Sequence, residues 1–282
     1  MKNPVSPRNN GSADVPPSAD PVGLPWSGRT LTSTGFDGDL GAADPHLLAA
    51  LDDPADETML MRAVAQARLL VPVVAVPHEI AHPNEHSHEH SHEHSDEHSD
   101  EPMAEPSSAT TPEGSSATEM AVVILTASDG RRAFPAFSSL AALSAWDATA
   151  RPCPVTSSRA AQSAVSERCD VILLDCGSAH ERVLRPSMVW ALAQQRDWLP
   201  AYLDPFVAQT LIRATVEEED VIGCIGEEEP ANAGTLRVVL SLRPGLDAGG
   251  VQSLATRIGE RIAMDGEARA RIDALSFTIR QA

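Results

Sequence analysis

The chain has 282 residues, of which 42% are hydrophobic, and a formal net charge of −19. This length is sufficient for one or two domains with a full hydrophobic core. Residues 78–119 hold eleven acidic side chains and no lysine or arginine, so the other residues carry −8 of the −19. Because no basic patch is available to neutralise phosphates, the composition argues against nucleic acids and anionic membranes as partners.

Residues 1–24 are rich in proline, serine, asparagine and aspartate, and this composition predicts a disordered tail. They lack the apolar stretch of a secretory signal. The longest apolar run, Leu69–Val76, is interrupted by Pro72 and is too short to span a membrane. The four cysteines form no CxxC pair, as expected for buried thiols in a reducing compartment. We therefore expect a cytoplasmic protein.

Residues 25–200 are predicted to form a mixed-sheet domain. A turn-rich entry leads to a first helix, with Asp44 as its N-cap and Pro45 at its first position. A second helix over 57–67 and a buried strand over 69–76 follow. After the insertion described next, the patterns predict strands at 121–127, 131–137, 153–156, 171–175 and 182–184, and helices at 139–147, 158–168 and 186–196.

Residues 77–118 interrupt this pattern with a His/Glu/Ser-rich segment that has no large apolar face. Such a segment cannot offset the entropy of ordering, which predicts a disordered insertion at the surface. The strands on either side are expected to pair with each other, because loop closure costs little more as a loop lengthens.

Residues 205–282 are predicted to form a second, smaller α+β domain. Helices are expected at 206–216 and 247–264, and strands at 221–226 and 235–242. Leu275, Phe277 and Ile279 alternate on a final strand. The fold class is therefore α+β, with an N-terminal mixed-sheet domain and a small C-terminal α+β domain.

Four tandem copies of a four-residue unit, EHSH-EHSH-EHSD-EHSD, occupy residues 85–100. Imidazole is a common ligand for zinc, nickel and copper, and the interleaved carboxylates add oxygen donors. The repeats could chelate such an ion, or could be a neutral expansion of a tolerant linker. The candidate metal ligands are His78, His82, His86, His88, His90, His92, His94 and His98.

Other motifs carry alternatives that we weigh against structural roles. His78-Glu79-Ile80-Ala81-His82 spells the HExxH signature of zinc proteases, but Pro77 and Pro83 bracket it and oppose the helix that the chemistry requires. The aspartates at 37, 39 and 44 suit caps and turns better than a calcium loop. Cys176 and His180 lack the flanking residues of a nucleophile elbow. The acidic runs 217–220 and 227–229 are expected to be solvated.

Several separated segments resemble the SseB family, which is named for enhanced serine sensitivity. The segments are GRTL…GFDGDLGAADPHLLAAL (28–51), RLLVPVVAV (68–76), TEMAVVILTASDGRRAFPAFSSLAALSAWD (118–147), RPSMVWALAQ (185–194) and LRVVLSLRPGLD…RIDALSFTI (236–279). The resemblance implies an α/β domain followed by a C-terminal α+β domain. It supplies no catalytic or ligand-binding residues, and the histidine repeats lie outside the family pattern.

These features predict a non-enzymatic cytosolic protein that needs no cofactor and acts through contacts with an unknown protein partner. Its histidine-rich loop would be an accessory that chelates nickel, zinc or copper. One alternative is that metal buffering or delivery is the primary function. A zinc metallohydrolase acting through HExxH is the least favoured alternative.

Overall fold

The structure is a computed structural model that describes residues 35–53, 55–77 and 118–281. Two compact units divide the chain, Met1–Leu40 and Gly41–Ala282. In the described part of the first, the Asp39 amide donates to the Phe36 carbonyl, which closes a turn. The predicted tail at 1–24 and the predicted insertion, beyond its end residues Pro77 and Thr118, lie outside the described residues.

The second unit alternates helices and strands, which confirms the α+β class. Its helices are α1 (Pro45–Asp52), α2 (Glu57–Gln66), α3 (Leu140–Trp146), α4 (Ser157–Ser166), α5 (Pro186–Ala193), α6 (Pro205–Thr215), α7 (Ala248–Met264) and α8 (Gly266–Arg269). Its strands are β1 (Arg68–Pro77), β2 (Thr118–Val122), β3 (Leu125–Thr126), β4 (Arg132–Ala136), β5 (Arg151–Thr156), β6 (Val171–Leu174), β7 (Arg182–Leu184), β8 (Val221–Glu228), β9 (Thr235–Leu242) and β10 (Ala274–Gln281).

Local sequence signals explain where most helices begin. The Asp44 carboxylate accepts from the amides of His46 and Leu47, so it caps α1 as expected. Asp56, Ser139, Thr156 and Asp247 cap α2, α3, α4 and α7 in the same way. Capping satisfies amides that have no partner inside the helix, which fixes each boundary at a polar residue.

The strands form three sheets, ordered β2-β1-β5, β3-β4-β6-β7 and β10-β9-β8. A bridge between Leu70 and Phe137 connects the first two. Strand β4 runs parallel to β6, and β9 runs parallel to β10. The strand expected over 121–127 is instead divided between β2 and β3. The first part pairs with β1 and the second with β4, so the chain changes partner at Val123 and Ile124.

Two large hydrophobic clusters lie in this unit. The first joins α1, α2, α4 and α5 to β1, β4 and β6, and includes Phe134, Ile172 and Trp198. The second joins α6, α7 and α8 to β9, and includes Leu240 and Ile258. The alternation of Leu236, Val238, Leu240 and Leu242 into this second core confirms the pattern expected for β9. The domain limits at 200 and 205 stay a prediction.

Strands β1 and β2 are antiparallel neighbours whose register ends at the pair Pro77 and Thr118. The two strands that flank residues 78–117 therefore pair with each other, as expected. The histidine-rich segment is the connection of this hairpin. The β1–β2 pairing brings the two ends of this segment together at Pro77 and Thr118.

Candidate functional site

A cleft of about 440 Å³ opens where the two hydrophobic cores meet. Its walls come from five segments of the chain: the residues from the end of α1 to the start of α2, the start of α5, residues 198–203, the β8–β9 turn, and the residues before β10. Trp198 of the first core and Leu236 of the second both line it. The volume lies within the range that accommodates small molecules or a side chain of a partner.

Arg185 lines this cleft, and its side chain is 17% exposed. Its guanidinium binds both carboxylate oxygens of Glu57, and its Nε donates to Asp273 Oδ2 at 3.0 Å. The guanidinium also lies over the Trp198 ring, 5.9 Å from its centroid. Burial alone would lower the pKa of Arg185, but the hydrogen bonds and charges of Glu57 and then Asp273 outweigh it and raise that pKa.

Asp273 also compensates for a missing helix cap. Arg185 occupies the N-cap position of α5 but makes no side-chain cap. Asp273 Oδ1 instead accepts from the Ser187 amide at 2.7 Å, and Oδ2 accepts from the Ser187 hydroxyl at 2.9 Å. The Trp198 indole donates to the same hydroxyl at 3.1 Å. A carboxylate at the positive end of a helix is favourable, so this contact ties the second core to the first.

A second arginine is paired in the same manner. Arg271 donates to Asp204 Oδ2 and to Glu267 Oε1, both at 2.7 Å, and lies 4.8 Å from the centroid of the Phe206 ring. Asp204 is 7% exposed and also caps α6 through the Phe206 amide. Both arginines that line the cleft are therefore already neutralised by neighbouring carboxylates.

The model of the SseB protein N-terminal domain matches residues 46–191, which is more than half of the chain. This chain belongs to the SseB family. The match includes Glu57, Arg185 and Ser187, whereas Asp273 and the β8–β9 turn lie beyond it. No curated protein and no solved structure matches this SseB chain.

The predicted metal ligands of this SseB protein cannot be placed. His78, His82, His86, His88, His90, His92, His94 and His98 all lie in the part of the chain that the structure does not describe. Within residues 35–53, 55–77 and 118–281, no three His, Cys, Asp or Glu side chains come together as a metal-binding group. Chelation by the repeats therefore stays a prediction.

Three cysteines and His180 bear on the nucleophile interpretation. Burial raises the pKa of Cys224 to about 11, and it also raises the pKa of Cys169 and of Cys176. A thiol with a raised pKa is a poor nucleophile at neutral pH. His180 points its Nε2 toward Asp52, at 3.7 Å from Oδ1. The nucleophile interpretation of Cys176 and His180 gains no support from these positions.

The acidic runs differ from the expectation of simple solvation. Glu218 is only 10% exposed, and it accepts from Arg257 Nη2 at 2.7 Å and lies 2.8 Å from Arg261 Nη1. Glu227 pairs with Arg237 at 3.1 Å and with Arg280 at 3.0 Å. These partners come from other elements, so the sequence could not have identified them. Glu217, with its side chain 78% exposed, fits the expectation.

Sequence reasoning also missed Arg185 and Asp273. One local signal was present, because the helix starting at Pro186 has no Ser, Thr, Asp or Asn at its N-cap position. That absence indicates an unsatisfied helix end, but it does not identify a carboxylate 86 residues away.

In the described part of the chain, every helix is too short or too polar to cross a lipid bilayer.

Proposed function

We propose that this SseB protein is a non-enzymatic binding protein of the cytoplasm, which receives a protein partner in the cleft between its two cores. The cleft supports this proposal because both cores contribute residues to it, so a partner bound there would contact both cores at once. The side chains of Arg185, Glu57, Asp273 and Ser187 in the cleft hydrogen-bond to one another. This arrangement suits a rigid binding surface better than a reactive group.

Site-specific photocrosslinking in the cells of origin tests this proposal. A benzophenone amino acid would replace Leu203, which lines the cleft and is 57% exposed, or Met264, which lies outside it and is 83% exposed. We expect a discrete crosslinked protein with Leu203 and not with Met264. The same products at both positions, or none at Leu203, would contradict partner binding in the cleft.

The histidine-rich insertion is proposed to chelate nickel, zinc or copper as an accessory to this body. Its position at the end of the β1–β2 hairpin supports an accessory role, since the hairpin register closes at Pro77 and Thr118. Eight histidines close together offer more ligands than one ion requires. Metal buffering or delivery as the primary function is the second candidate, and it rests on the same repeats.

Equilibrium dialysis against nickel or zinc tests whether the repeats bind metal, and a cellular assay distinguishes the accessory role from metal delivery. Two variants would be compared with the intact chain: a deletion of residues 85–100, and a length-preserving variant with His86, His88, His90, His92, His94 and His98 changed to glutamine. We expect both to lose bound metal. Metal retained stoichiometrically by both would indicate a formed site elsewhere and would revive the metallohydrolase. Metal delivery is favoured if the glutamine variant abolishes cellular function while keeping the Leu203 crosslink.

A further inference from the structure

The cleft carries more negative charge than its structural ion pairs use. Its lining includes carboxylates at 53, 56, 57, 228, 229 and 273, against guanidinium groups at 185 and 271. The two guanidinium groups are already paired: one with Glu57 and Asp273, the other with Asp204 and Glu267. An anion entering the cleft would have to displace a carboxylate from one of these arginines, which opposes anionic ligands.

Three carboxylates that line the cleft have oxygens available to bind a cation. Among the described residues, the Glu228 side chain has no hydrogen-bonding or ion-pairing partner, and it lines the cleft at the end of β8. Asp53 and Asp56 line the same cleft next to the start of α2, and each has one oxygen occupied by a backbone amide, that of Ala55 or Met59. Carboxylates from two distant segments of the chain thus line one cleft.

Tyr202 also lines the cleft, and carboxylates in the cleft influence its pKa. Its pKa is raised by burial first, and then by the negative charges of Glu228 and Glu57. The two carboxylates therefore act on a common space next to the phenol ring, although one belongs to β8 and the other to α2. An aromatic ring beside carboxylates is a favourable environment for an organic cation.

We infer that the cleft takes an organic cation, an alkylammonium or alkylguanidinium group, bound by the carboxylates of Glu228, Asp53 and Asp56 beside Tyr202. This inference rests on the proposed function, because it supplies the chemistry of the group that a partner would insert. The charged group would contact these carboxylates, and the alkyl chain would lie along Tyr202 and Trp198. The group could belong to a free amine or to a lysine or arginine side chain.

Calorimetric titration of the full chain tests this inference. The probes are agmatine, the capped peptide Gly-Gly-Arg-Gly-Gly, and the same peptide with neutral citrulline in place of arginine. We expect agmatine or the arginine peptide to bind, and the citrulline peptide to bind at least about tenfold more weakly, since a hydrogen bond to a charged group is worth that much. Binding by agmatine indicates a free amine as the source, and binding by the peptide alone indicates a side chain.

A pair of charge-matched variants makes the test specific. Glu228→Gln combined with Asp53→Asn removes two cleft carboxylates, whereas Glu219→Gln combined with Glu260→Gln removes two exposed carboxylates outside the cleft. We expect at least about a tenfold loss of affinity in the first variant and little change in the second, because the effect should depend on proximity. Melting curves establish that both variants fold.

Several outcomes would overturn the inference: no binding of either cationic probe, equal binding of the citrulline peptide, or equal losses in the two charge-matched variants. The Leu203 crosslink keeps this separate from the proposed function. A crosslink that persists in the Glu228→Gln, Asp53→Asn variant would leave partner binding intact and remove only the cation. Absence of the Leu203 crosslink in a chain that keeps both carboxylates would remove the protein partner, while binding of agmatine would still support the cation site.

Discussion

Arg185 shows how one side chain can connect two cores. Its partners Glu57 and Asp273 come from α2 and from the segment before β10, and the Asp273 carboxylate also caps α5. Such a group is costly to bury unless every charge is paired and hydrogen-bonded. Here all three charges are paired. Removing one side chain should therefore lower the free energy of unfolding by more than one hydrogen bond contributes, because it leaves a partner charge unpaired.

Replacing Arg185 with methionine should destabilise the protein by about 3 kcal/mol. Methionine keeps much of the apolar stem but leaves Glu57 and Asp273 without their shared cation. Urea unfolding followed by circular dichroism measures the change. Arg131→Met is the matched control, because the Arg131–Asp129 pair is 74% and 51% exposed, and no measurable change is expected there. Equal losses at both positions would contradict the role given to Arg185.

Gly234 allows the β8–β9 turn to approach Arg185. Its φ is +84°, and a Cβ at this position would overlap the Arg185 side chain. Gly130 has nearly the same φ, +85°, but a Cβ there meets nothing within 4 Å. Gly130→Ala should therefore cost about 1 kcal/mol from backbone strain alone. Gly234→Ala should cost about twice that or more, measured by the same unfolding experiment. Equal losses in the free energy of unfolding would show that the Arg185 side chain moves aside at no cost.

At the scale of elements, the β1–β2 hairpin flanks the segment that contains the histidine repeats. Five residue pairs, from Val73 with Val122 to Pro77 with Thr118, hold the two strands in register. Strand β1 is secured independently, because β5 pairs along its other half from Arg68 to Val73. The register therefore does not require any particular length of chain between residues 77 and 118.

Deleting residues 85–100 should leave the melting temperature within about 2 °C of the intact chain. The shorter connection lowers the entropic cost of closing the hairpin, which favours a small stabilisation of about 0.5 kcal/mol. Calorimetry in a metal-free buffer measures this. A large fall in melting temperature would show that the repeats contact the folded body, and it would contradict their accessory role.

At the scale of the whole molecule, ion pairs between distant segments hold the second core together and against the first. Arg196 binds Glu267, and Arg213 binds Asp265 at 3.0 Å. Hydrogen bonds from Arg196 and Arg271 lower the pKa of Glu267, and those from Arg257 lower the pKa of Glu218. The Ala268 amide lowers the pKa of Asp265, with a further contribution from Arg213.

These lowered pKa values make stability depend on acid pH. A carboxylate whose pKa is lower in the folded state stabilises the fold above its unfolded pKa. That stability is lost as the pH falls through the folded value. Melting temperatures should therefore fall below about pH 4.5, the ordinary value for the two glutamates. Glu267→Gln should melt lower than the parent near neutral pH and show a shallower fall. An unchanged slope would contradict the assignment.

Much of the secondary structure could be predicted because its signals are local. The Asp44-Pro45 start of α1, the alternation in β9 and the limits of β7 depend on residues a few positions apart. The division between β2 and β3 could not be predicted, because it is set by which neighbour each half pairs with. The short helix Ala201–Leu203 falls between the predicted domains 25–200 and 205–282, where no element was predicted, and it lines the cleft.

By itself the sequence determined the α+β class, the SseB resemblance and the histidine-rich segment proposed to bind metal, since these follow from composition, periodicity and short motifs. Only the tertiary structure decided that Arg185, Glu57 and Asp273 meet, and that Glu228 and Asp53 line the same acidic cleft. The physical reason is that a charge has no periodic pattern marking its partner. Its pairing is fixed by which surfaces pack together, and that packing is decided by the hydrophobic cores.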